Sequence, residues 1–197
     1  MNNHSFYETL IEFTERSGAS RAIIIPSSDI VIDDRLAGLC KEPTCENYGL
    51  SGRCPPYVSG PEGFRKKVKD YGKALFFKID VPYDILVSNE RREFFQLLHE
   101  IASGAEKFAL KEGVKKAKAF AGGACKKIFC YEHPECAVLS GKDTCRHPEI
   151  PRQSMSGFGI NVASLLKTAG WDKDGLGSAE EDGAEMSYIC GLVLLEI

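Results

Sequence analysis

Apolar residues in this chain fall into helix-like stripes and strand-like runs that alternate along the sequence. Phe6, Leu10 and Phe13 recur at helical spacing behind a Ser5/Glu8 capping pair, predicting a helix over 5–17 that stops at Gly18. Arg21–Ile25 reads as a strand, and Asp29–Asp33 as a second short one. Ser59 and Glu62, with Pro61 between them, open a helix whose buried stripe is Phe64, Val68 and Tyr71. A strand over Ala74–Asp80 follows. The longest helix is predicted over 89–112, with Phe94, Leu97, Leu98, Ile101, Ala105 and Phe108 inward and Gly113 as its stop. Lys116–Phe120 alternates as a strand, and Val162, Leu165 and Leu166 mark a short helix over 160–169. The acidic, Gly-rich stretch from Asp172 to Glu185 reads as an exposed loop, and Ser187–Leu195 as a buried closing strand. Interleaving of this kind predicts one α+β or α/β domain over residues 1–197, a single mixed sheet covered by helices.

Two segments break the pattern, residues 38–59 and 122–153, and they hold seven of the eight cysteines. Composition decides how those are read. The opening residues have neither the basic start nor the apolar run of a secretory signal. No stretch approaches the roughly 18 apolar residues that cross a bilayer. The expected setting is the cytoplasm, away from membranes, where thiols stay reduced and clustered cysteines point to metal rather than disulfides. A net charge of −3 gives no basic field for nucleic acid. The local run of Arg65, Lys66, Lys67 and Lys69 reads as a solvated helix face.

In the first loop Cys40, Cys45 and Cys54 have four and then eight residues between them, and Cys54 is followed by Pro55-Pro56. Turn-forming Pro43, Gly49 and Gly52 suit a chain that must wrap a cluster, and Cys-Pro also ends ferredoxin ligand runs. Three thiolates leave one position to a distant cysteine, a His or carboxylate, or an open site. The second loop offers Cys125, Cys130, Cys136 and Cys145, separated by four, five and eight residues, enough to close a site alone. Gly122 and Gly123 permit the positive φ that turns amides toward an anion. Lys126, Lys127, Lys142 and Arg146 read first as surface charges, with offsetting of thiolate charge as the alternative. His133 and His147 read as exposed or supporting residues, with ligation as the alternative, and His99 as structural. Cys190, in an apolar strand, reads as packing, although it would raise the ligand count to eight.

Cys45–Tyr57, with Tyr48-Gly49 and Cys54-Pro-Pro, and Gly122–Val162, with Cys145-Arg-His-Pro-Glu and Ser154-Met-Ser-Gly-Phe-Gly-Ile-Asn-Val, carry a resemblance over about a third of the chain. They resemble a family of predicted metal-binding proteins of unknown function (domain of unknown function 2284), found mainly in anaerobic bacteria and archaea. The second loop departs from the closer Cys-x-x-Cys spacing associated with that family. The resemblance implies a cytoplasmic metal-binding protein and leaves the reaction open.

The expected cofactor is one or two 4Fe-4S clusters, with zinc as the alternative. The expected role is electron transfer or redox assistance to a protein partner. An enzyme using an open iron as Lewis acid and a zinc interaction module are the alternatives. No triad, Walker loop or dinucleotide fingerprint chooses among them, and the oligomeric state is left open.

Overall fold

The computed structural model of the chain describes residues 3–41, 43–141, 144–172 and 185–196. Its strands are β1 (Arg21–Pro26), β2 (Lys73–Pro82), β3 (Lys116–Ala121), β4 (Gln153–Ser154) and β5 (Met186–Glu196). They form one sheet in the order β1-β2-β5-β3-β4, antiparallel except where β4 runs parallel to β3. Among the described residues the helices are α1 (Asn3–Arg16), α2 (Asp34–Gly38), α3 (Gly60–Lys67), α4 (Tyr83–Val87), α5 (Arg91–Lys111), α6 (Cys125–Phe129) and α7 (Val162–Thr168). The fold is therefore α+β with one mixed sheet.

Side chains alternate across β2 and β5 into two apolar layers. Leu75, Phe77, Ile79, Ile189, Val193 and Leu195 pack beneath α1 and α5. Ala74, Phe76, Cys190, Leu192 and Leu194 meet Phe64, Phe158, Leu165 and Trp171 on the other side. A strand covered on both faces has no polar side, which is why β2 is written as a nearly unbroken apolar run. Each fully buried Phe or Leu contributes roughly 1.5–3 kcal/mol. The alanines of α5, Ala102, Ala105 and Ala109, are completely buried and let the helix lie close across the sheet. Gly191 stands opposite Phe77, and a Cβ there would come within 2.2 Å of its ring.

Several sequence expectations need correction. Asp29–Asp33 is no sheet strand: Ile32 makes one isolated bridge with Ile160, flanked by Asp33 N–H to Gly159 O and Asn161 N–H to Val31 O. The turn at 159–161 takes up backbone hydrogen bonds of this segment that a sheet neighbour would otherwise hold. Neither capping box forms as expected. Ser5 lies inside α1, and Ser59 makes no side-chain cap at α3, where Glu62 pairs with Lys66 instead. The first cysteine loop follows the short helix α2, and the second contains the single turn of α6. The predicted acidic loop lies mostly outside the described residues. No described helix is long and apolar enough to cross a membrane.

Candidate metal centre

The two cysteine segments meet beyond the C-terminal end of β3, beside the short edge strand β4. The chain leaves β3 at Gly122, whose N–H donates to Cys190 O, and turns at Gly123, where φ is +85°. A Cβ on Gly123 would lie 2.7 Å from the Phe95 ring, so glycine is required on two counts. The far end of this loop returns at Arg152. Its N–H donates to His99 Nδ1, its guanidinium donates to the carbonyls of Glu149, Ile150 and Pro151, and it pairs with Glu106 at 3.1 Å. Glu106 in turn accepts from the Ala119 N–H. Helix α5 and strand β3 thus fix both ends of the second loop.

Direct bonds then join loop to loop. Ser154 N–H donates to Arg53 O, and the Ser51 hydroxyl and the Cys125 thiol lie 3.0 Å apart. The Cys136 sulfur accepts from the backbone of Gly52 in the first loop and of Val138 and Leu139 in its own. Cys40, Cys45 and Cys54 line a recess of about 140 Å³ that is bordered by Gly123 and Ala124 of the other loop and by Ser154 of β4.

All eight cysteines are free thiols. Cys54 and Cys125 are buried and Cys40, Cys45, Cys130, Cys136 and Cys145 are partly so. Burial pushes the Cys54 thiol up to about 12, helped by Cys125, Cys40, Cys45 and Cys136 in that order. Burial likewise lifts Cys125 to about 11, against the Ser51 bond and Arg53, with Cys145 and Cys136 adding to the rise. Cys40 is raised by burial and by Cys45, to which it hydrogen-bonds. Cys136 goes the other way. Burial is its largest single influence and raises it, but the three backbone N–H groups and Arg146 together bring it below the ordinary thiol range.

These residues fit a thiophilic metal group. Buried thiols that repel one another's charge are relieved by a cation, and amides aimed at sulfur are what a thiolate ligand set uses. Among the described residues no three His, Cys, Asp or Glu side chains already stand arranged around a single ion.

The remaining candidates occupy supporting places. Cys130 is held by its backbone: its carbonyl accepts from Lys126 Nζ at 2.8 Å, and Lys126 also reaches His133 O at 2.7 Å. Lys126 is buried, correcting its reading as a surface charge, whereas Lys127 is exposed and Lys142 lies outside the described residues. Arg146 bonds Glu135 O and acts on Cys136. His133 is exposed. His147 rests on Phe129, and its N–H points to Cys145 Sγ at 3.4 Å. Cys190 lies within the apolar layer around Phe76, with Lys78 and Asp80 as the charges that act on it, and burial raises its thiol. His99 is fully buried against Phe129.

The sequence pattern missed Ser51, Gly52 and Arg53 as a bridge. Their position between Cys45 and Cys54 was the available signal, but nothing local says which residues across the fold they touch. Neither a curated protein nor a solved structure matches the chain. A family model does, that of the predicted metal-binding protein DUF2284, over residues 23–195, and the chain belongs to that family.

Proposed function

We propose that the paired loops hold iron–sulfur, as one or two 4Fe-4S clusters, and that the protein serves electron transfer or redox assistance. The observation that carries this reading is the recess lined by Cys40, Cys45 and Cys54 and bordered by the second loop. Four thiolates around one zinc, with Zn–S near 2.3 Å, leave no space between them, whereas a cluster of irons and sulfides needs a volume to fill. When bound, such a cluster supplies a one-electron centre whose potential follows burial and hydrogen bonds to sulfur.

The chain's own residues sort into two overlapping sets. Cys40, Cys45 and Cys54 border the recess, and Cys125 is the outside thiol that acts most strongly on Cys54. Cys125 is also influenced by Cys136 and Cys145, the set expected to close the second site with Cys130. We therefore place Cys125 at the boundary, able to complete either set, and assign Cys190 to packing. Gly52, Val138 and Leu139 amides favour the thiolate form of Cys136, and Ser51 orients Cys125. Exposed Leu50, Tyr57 and Tyr131, gathered around one surface groove on these loops, suit a protein partner docking near the centre. If Cys125 belongs to the second set, the recess keeps an open position, and the Lewis-acid reading gains from the larger cleft that adjoins it.

Anaerobic purification tests the proposal. The protein is expected to be brown, with iron and acid-labile sulfide in equal amounts. Cys54→Ser should lose at least one cluster's iron, and Cys190→Ser should lose none. A colourless preparation holding stoichiometric zinc and no sulfide would overturn it.

A further inference from the structure

A second cavity, of about 640 Å³, opens between the start of α5 and the second cysteine loop. Its size falls in the range of small-molecule sites, roughly 300–1,000 Å³. Arg91 and Arg92 approach from α5 and Lys127 from α6, against the single lining carboxylate of Glu46. That balance runs opposite to the whole chain, whose net charge is −3. Arg92 is laid over the Tyr131 ring, 4.0 Å from its centre. Stacking fixes a guanidinium plane and leaves its N–H edge free to receive an oxyanion in two parallel bonds. Phe95 and Ile128 supply apolar wall beside these cations. Gly123 stands between them, where any side chain would collide with Phe95 and Ile128.

The cavity and the three-thiol recess share Asn47, Gly123 and Ala124 as a common wall. Asn47 Oδ1 is buried there with no hydrogen-bond partner among the described residues. An acceptor left bare at a boundary between two cavities is a place for a ligand's donor.

We infer that this cleft binds a small organic oxyanion. Its carboxylate or phosphate is held by Arg91, Arg92 and Lys127, and its apolar body lies along Phe95 and Ile128 beside the cysteine recess. The inference stands on the cleft's own residues and does not require iron–sulfur in the neighbouring loops.

The test is calorimetric titration of the full anaerobically purified chain with phenyl phosphate, phthalate and, as a neutral control, benzamide. One or both anions should bind saturably, more weakly as salt is raised, and benzamide should not. The phosphate and dicarboxylate arms show which oxyanion is preferred. Arg92→Gln and Lys127→Gln should each weaken binding about tenfold or more, the loss of one charge-assisted bond. Lys66→Gln, which removes a distant α3 charge paired with Glu62, should leave it unchanged. Arg91→Gln serves as a further variant if Arg92→Gln alters the circular dichroism. Absence of saturable binding by both anions, or equal weakening by Lys66→Gln, would overturn the inference. Iron and sulfide measured on the same samples separate the two proposals. Metal without anion binding sinks only the cleft, and anion binding without metal sinks only the iron–sulfur reading.

Discussion

At the scale of the residue, the informative groups are polar ones placed where polar groups are costly. His99 is the clearest. Burial, then Arg152 and Arg53, lowers its imidazole to about 3. It is therefore neutral in the folded protein, accepting the Arg152 N–H at Nδ1, while Nε2 is buried without a partner among the described residues. The unfolded chain protonates a histidine near 6.5. Above that value neither state takes the proton and the full stability contribution is present. As pH falls from about 6.5 toward 3 the unfolded state binds a proton that the folded state refuses, so stability is lost. Urea unfolding across this window should show His99→Leu with a flatter pH dependence than the parent. Equal slopes would mean that His99 is not held neutral. The sequence marked His99 as structural from its place on an amphipathic helix, but it misread Lys126. A lysine beside cysteines in a loop looks solvated. Its burial follows from two carbonyls, of Cys130 and His133, that only the folded loop brings within reach.

Elements differ in how much of themselves they declare in sequence. Helix α5 was legible to within two residues, because six turns of periodic apolar positions outweigh any local ambiguity. Strands β2 and β5 were legible from near-continuous apolar runs of ten and eleven residues. The single turns α2, α4 and α6 and the two-residue β4 were not, since five residues or fewer give no period to read. The Asp29–Asp33 segment has the β-branched apolar run of a short strand, yet its partner is a turn more than a hundred residues away, around Ile160. What positions the metal centre is therefore a set of tertiary bonds, and Arg152 is the chief of them. Its guanidinium is almost wholly buried, paired with a Glu106 that is itself nearly covered. Breaking such a pair on one side strands the other charge, at roughly 3–5 kcal/mol. Arg152→Ala should lower unfolding free energy by that order in a denaturant titration and release the 145–154 end of the loop. A change below about 1 kcal/mol would show that Glu106 is satisfied some other way.

For the whole molecule the question is whether the metal makes the fold or the fold makes the metal site. Small zinc modules are unfolded without their ion because no other core exists. Here two apolar layers lie on either face of one sheet, and among the described residues the only cysteine in either is Cys190, not a loop cysteine. The loop thiols are joined to that frame through Gly122, Arg152 and Ser154, not through the layers themselves. Removing the metal should therefore leave the sheet standing and loosen the loops. The single tryptophan, Trp171, offers a direct reading, because it is 4% exposed and stacked on Phe76 in the layer that contains Cys190. After chelation and desalting, its emission maximum should stay blue, as for a buried indole, and thermal unfolding should remain one cooperative step at a lower midpoint. Limited proteolysis of the same sample should cut first within 38–59 and 122–153, where metal-loaded protein resists. A red-shifted tryptophan with loss of the cooperative step would reverse the order of dependence, making the ligand set part of the core. Blue emission with new cuts confined to the two loops would fix the sheet as the scaffold on which the metal centre is assembled.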